Sequence, residues 1–213
     1  MSQPFDRGAQ CPPPAEMDDD LGEFWSGSAW KISDKNNLSG YERNRTYLNV
    51  GGRNFLDISH LTGADSDGDG RCVVPADLNH DGRQELIVRQ VGGGSLRVFE
   101  NQFPQRSWLR VSLSGTKSNR LGIGARLVAH IGNRRIVREL YPVNSYRSQA
   151  PAAVHFGLSD AGKVDALTIL WPSGREQRLE NLRSNRHIII REGDNDVQAI
   201  TPGQPIKVAK STP

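Results

Sequence analysis

Cysteine is nearly absent from this chain. Its 213 residues include two, Cys11 and Cys72, too few for a disulfide framework. They pair only if the start of the chain folds back. The five histidines are scattered, and no Cys/His cluster has zinc spacing. Long apolar runs are missing as well. The longest are stretches such as "LTIL" and "HIII", far short of a bilayer span. No segment sustains a helical period. There is no G-x-S-x-G elbow and no evident Ser/His/Asp order, so nothing marks a serine hydrolase. The opening "MSQPFDRGAQCPPPAEMDDD" has no apolar h-region and does not read as a signal peptide. A cytosolic protein, a processed one and one exported by another route all fit.

What is present is turn chemistry. Glycine numbers 22 and proline 12, which suits many short elements and an all-β chain. Residues 1–40 read as a polar arm, pinned by Phe24, Trp25 and Trp30. From residue 41 the pattern alternates. "RTYLNV" and "NFLDIS" flank a Gly-Gly turn and predict a hairpin. "RCVVPAD", "ELIVRQ" and "LRVFENQ" predict three further strands. "SWLRVSLSG" sets Leu109, Val111 and Leu113 against Trp108, Arg110 and Ser112. "GARLVAHIGNRRIVRELYP" reads as two strands about a Gly-Asn turn. "AAVHFGLS", "VDALTILWPSG", "REQRLENL" and "RHIIIREG" continue the series at the spacing of a sandwich or barrel. The tail from 194 predicts one short strand around "PGQP" and then fraying.

One loop carries metal chemistry. "DLNHDGRQEL" places Asp77, Asn79, Asp81 and Glu85 at positions one, three, five and nine, with Gly82 at six. These are hard oxygen donors of the kind calcium takes six to eight of, at roughly 2.3–2.6 Å. Gly82 allows a sharp turn, after which Arg83 can offer its carbonyl. An EF-hand needs a carboxylate at position twelve, where Val88 stands, and helical flanks. The flanks here are strands. The alternative is an ion-free acidic turn, although three close carboxylates repel unless screened. Upstream, Asp65, Asp67 and Asp69 lack a ninth-position carboxylate. They read as a solvated turn or as support for the main site. A metal-assisted hydrolase fits in principle, but a closed structural calcium is more usual.

The loop and its flanks resemble the FG-GAP or VCBS repeat of integrin-like β-propellers. That resemblance implies calcium held by Asp77, Asn79, Asp81, the Arg83 carbonyl and Glu85. Glu85 stands where Asp is commoner. "GTKSNRLGIGARL", "YRSQ", "VHFGLSDAGKVDALTILWPSG" and "REQRLENL" resemble the ASPIC/UnbV domain. This domain follows such repeats in the cartilage acidic protein family, whose segment before the last repeat is similar to "LSGYERNRTYLNVGGRNFLDISHLTGAD". The expected organisation is an arm over 1–40, an FG-GAP/VCBS-like repeat over 41–103, an ASPIC/UnbV-like β domain over 104–193 and a tail over 194–213. The expected fold is all-β: one propeller-blade-like unit packed against an antiparallel β-sandwich or barrel-like domain. A lone blade leaves two faces and two edges uncovered. The β domain, or a second copy of the chain, is expected to cover it.

A ligand site, if there is one, is expected at the polar motif set of Ser118, Asn119, Arg120, Arg126, Tyr146, Ser148 and Gln149. Gly122 and Gly124 read as turn residues rather than a phosphate cradle. Arg120 and Arg126 either pair with Glu139 or Asp165 or face a ligand. His155 reads as a hydrogen-bonded core residue. The leading expectation is a calcium-stabilised, non-catalytic interaction module, extracellular or periplasmic, with a protein or glycan partner. An isomerase- or cyclase-type enzyme of a natural-product pathway is the second reading. It needs a closed pocket lined by aromatics such as Trp108, Phe156 and Trp171. The third is polyanion binding, since residues 104–191 hold fifteen Lys/Arg against five Asp/Glu. Nucleic acid is a disfavoured partner.

Overall fold

The computed structural model describes residues 43–66, 70–90, 96–144 and 148–201. The chain falls into two compact units. One comprises Met1–Val73 and Ile87–Phe99, the other Val74–Leu86 and Glu100–Pro213. The arm with Phe24, Trp25 and Trp30 lies outside the described residues, as do Cys11, Asp67, Asp69, Tyr146 and the "PGQP" segment.

In the first unit, β1 (Tyr47–Val50) and β2 (Asn54–Asp57) form the expected hairpin. Gly51 and Gly52 make its turn, both with positive φ. Both strands are exposed along their length. A single helical turn follows, α1 (Ser59–Thr62), stopped by Gly63 at φ 65°. The division into units runs through β3 (Gly70–Ala76) and β4 (Glu85–Gln90), which with β5 (Arg97–Phe99) form a sheet in the order β3-β4-β5. The candidate metal loop, between β3 and β4, therefore belongs to the second unit.

That second unit is built on two four-stranded sheets. One runs β11 (Ala153–Ser159), β6 (Ser107–Ser114), β14 (Arg186–Arg191), β15 (Val197–Ile200). The other runs β13 (Glu176–Arg183), β12 (Lys163–Leu170), β7 (Arg126–Ile131), β8 (Arg134–Glu139). A two-stranded ribbon, β9 (Val143–Asn144) with β10 (Ser148–Gln149), lies between β8 and β11 in the chain. Period-two alternation sends one side of each strand inward. Leu109, Val111 and Leu113 of β6 meet Ile188 and Ile190 of β14 and Val154, Phe156 and Leu158 of β11. Leu127, Ala129 and Ile131 of β7 and Leu167 and Ile169 of β12 complete the core from the other sheet. β15 falls at 197–200, just upstream of the expected "PGQP" position.

Two features depart from a plain antiparallel sandwich. β6 and β14 run parallel, in register from Arg186↔Leu109 to Arg191↔Ser114. Parallel neighbours need a long crossover, and the whole second sheet lies between them in the chain. Along β12 and β13, Asp165 and Asn181 are skipped in the pairing, and Asn181 sits at φ 55°. The inward parity thereby switches from Leu167 and Leu179 to Val164 and Leu182.

His155 is not a core residue. Its neighbours Val154 and Phe156 point inward, so it points to the outer face, opposite Arg110. Trp171 ends its strand as expected. Its carbonyl accepts from Gly174 N and its N–H donates to the Arg175 carbonyl. Its buried indole N–H donates to Gln177 Oε1 at 2.9 Å.

Candidate metal centre

The loop 77–85 orders its own donors. Asp77 Oδ2 accepts from Gly82 N at 3.1 Å. Glu85 Oε2 accepts from Leu78 N at 2.8 Å, closing the loop across its base. Asn79 Oδ1 accepts from Asp81 N at 3.1 Å, and Asn79 Nδ2 donates to Asp81 Oδ2 at 3.0 Å. These are the short-range bonds Asx residues make in turns.

Asp77 and Glu85 are 6% and 3% exposed. Each keeps one buried oxygen, Asp77 Oδ1 and Glu85 Oε1, without a hydrogen-bond partner. A buried carboxylate oxygen left unpaired is costly. Two of them at the base of one loop fit a hard cation in donor type and in need. Asp81 differs. Its Oδ1 accepts from Arg83 N at 2.7 Å, and its Oδ2 accepts from Arg83 Nη2 at 2.6 Å and Nε at 2.9 Å. The hydrogen bonds from the Arg83 guanidinium hold the Asp81 carboxyl below the usual carboxylate range. Among the described residues no three His, Cys, Asp or Glu side chains are gathered as a metal-holding cluster. The donors thus divide into a buried pair with open oxygens and one carboxylate engaged by arginine. Upstream, Asp65 is taken by Arg43 at 2.9 Å and His60 at 2.8 Å.

The loop is seated on the outer face of the first sheet. Gly82 is buried at φ 87°, and a Cβ there would lie 1.9 Å from Trp108 Nε1. Gln105 Nε2 donates to the Asp81 carbonyl at 2.6 Å, and Arg83 Nη1 donates to the Phe103 carbonyl at 3.3 Å. Trp108 in turn stacks on His155, with centroids 6.1 Å apart at 14°. Burial pushes the His155 imidazole down, with Asp77 opposing. On the same face Ser112 Oγ and His187 Nε2 are 2.8 Å apart. Burial, then Arg110 and His80, take His187 down to about 4. Phe156 and Trp171 belong to the core, whereas Trp108 faces the loop. The three aromatics do not share a site.

The polar motif set is largely occupied with holding the fold. Ser118 N donates to Glu192 Oε2 at 2.8 Å and Ser118 Oγ to Glu192 Oε1 at 2.9 Å. Thr116 N and Lys117 N also donate to Oε2, each at 2.7 Å, and the Ser173 hydroxyl bonds Oε1. Burial raises the Glu192 carboxyl, but the bonds from Ser118, Ser173, Thr116 and Lys117 outweigh it and hold the group well below the ordinary range. Asn119 closes its own turn: Oδ1 accepts from Ile123 N at 2.9 Å and Nδ2 donates to the Ile123 carbonyl at 2.7 Å. Arg126 pairs with Glu139 at 2.7 Å, while Asp165 accepts from Gly132 N and lies near Lys163. Arg120 is exposed. Ser148 and Gln149 lie in β10, away in the chain from the 116–120 turn. Glu192, which ties that turn to the end of β14, carries no sequence signal beyond an acid after a strand.

No helix among the described residues is long and apolar enough to cross a membrane. No curated protein matches the chain. Residues 115–197 match the family described as ASPIC and UnbV. The match begins in the turn after β6 and reaches the first residue of β15, so the chain carries an ASPIC/UnbV domain within its all-β second unit.

Proposed function

We propose that the protein is a calcium-stabilised, non-catalytic interaction module working outside the cytosol. In this reading the loop is an FG-GAP-type calcium loop, as in the cartilage acidic protein family. Calcium would be held by Asp77, Asn79, Asp81, Glu85 and the Arg83 carbonyl, and its charge would offset the buried carboxylates. The partner is a protein or a glycan. The observation that carries the reading is the pair of buried, unpartnered oxygens, Asp77 Oδ1 and Glu85 Oε1.

Calcium-dependent melting tests it. Extracellular calcium modules bind at about 10⁻⁴–10⁻³ M. At 10 mM calcium and a Kd of about 1 mM, linkage contributes about 1.4 kcal/mol. The melting temperature should rise with calcium, and less with magnesium, which prefers rigid octahedral sites. Asp81→Ala should abolish the rise. A melt indifferent to calcium and to chelator sinks the proposal.

A further inference from the structure

Beside the loop, within the second unit, lies a cleft of about 460 Å³. Three separate connections converge on it. His80 and Asp81 come from the candidate metal loop, Ser159 from the end of β11 and Asp160 from the turn after it, and Asn185 from the turn before β14. Gln105 completes the rim, and Trp108 and Ser107 line it from β6. The backbone here is unusual. Four non-glycine described residues have positive φ, and three line this cleft: His80 at 63°, Ser159 at 58° and Asn185 at 58°. Asn and His are the non-glycine types that enter this region more readily, Ser is not, and all three are costlier there than Gly. Non-glycine residues in sparsely populated backbone regions cluster at binding sites.

The chemistry of the lining narrows the ligand. Both carboxylates already have a cation, Asp81 through Arg83 and Asp160 through Arg106 at 2.5 Å. Neither carboxylate is thus left as an unpaired charge facing a ligand. The lining is hydrogen-bonding throughout, with two amides, two serine hydroxyls, a histidine and two carboxylates, of which Gln105 Nε2, Asn185 Oδ1 and Ser159 Oγ each also hold one protein partner. The volume falls within the range of small-ligand sites. A polar, charge-compensated cleft of this size fits a neutral polyhydroxylated ligand of one or two sugar rings.

We propose that this cleft is a glycan-binding site for neutral terminal sugars. The proposal names the partner class of the interaction module and rests on that reading. The test uses the full chain, with calcium present, on a printed array of neutral oligosaccharides, followed by calorimetric titration of the best binder. Ser159→Gly removes a rim hydroxyl; glycine suits the φ of 58° there, which offsets the loss of one exposed hydrogen bond from Arg134, so the melting temperature should change little. Asp160→Ala removes an exposed rim carboxylate. Each should weaken sugar binding about tenfold. Absence of neutral-sugar binding, or binding by both variants as tight as by the unsubstituted protein, overturns the proposal. A calcium-dependent melt without sugar binding leaves the module standing and the cleft assignment refuted. Variant-sensitive sugar binding without a calcium effect does the reverse.

Discussion

Replacing Gly82 by alanine separates what the candidate metal loop needs locally from what it needs of the sandwich. Two costs are expected. An alanine at φ 87° is strained by about 1–2 kcal/mol. Its Cβ would also fall 1.9 Å from Trp108 Nε1, so the indole or the loop must move. Such overpacking costs about 1–3 kcal/mol. The sum is about 3 kcal/mol. Gly174 is the matched control: it has φ 84° in the turn after Trp171, and a Cβ there meets nothing within 4 Å. Gly174→Ala should therefore cost only the strain, about 1–2 kcal/mol. Urea melts of both variants measure the difference, which isolates the contact between loop and indole. On those figures the two variants differ by about 1–2 kcal/mol, and at roughly 3 °C per kcal/mol for a chain of this size their thermal melts should differ by about 5 °C. Calcium-free buffer keeps the ion out of the comparison. Equal destabilisation of the two variants would refute the seating of the loop on Trp108.

Other outcomes follow from the same geometry. Glu192→Ala should cost about 3–5 kcal/mol, because three backbone N–H donors and two hydroxyls lose one buried acceptor; a loss under 1 kcal/mol in urea would contradict its role. The folded Glu192 carboxyl lies below its ordinary 4.5, so its contribution is full above pH 4.5 and should fade as pH drops further, a slope that Glu192→Gln should flatten. His187 is lowered from 6.5 to about 4, so the folded state binds fewer protons and stability should fall on acidification through that interval. The ceiling is about 3 kcal/mol, and partial exposure reduces it to about 1–2 kcal/mol; a His187→Gln melt with an unchanged pH slope would count against this.

Much of the strand order was legible because its signals are local. Alternation in "SWLRVSLS" and "RLVAHI" places one side of each strand inward whatever the partner is. Gly51-Gly52 and Gly132-Asn133 mark their hairpins by turn chemistry alone. His155 shows the limit of that reading. An apolar neighbourhood suggested core, but strand parity puts the ring outside, against Trp108. Ser118 and Asn119 looked available for a ligand because they are polar and clustered. The structure uses them to bind Glu192 and to close a turn.

The sequence by itself determined the all-β class, the hard-oxygen character of the 77–85 loop and the glycine that turns it. These depend on residue type and on spacings of a few positions. Tertiary structure alone decided that β14 runs parallel to β6, that Gly82 faces an indole, and that His80, Ser159 and Asn185 surround one cleft. Each of these joins groups more than twenty residues apart, where no local period or propensity carries information. Only chain closure around a shared core sets which strand edges and which loop ends meet.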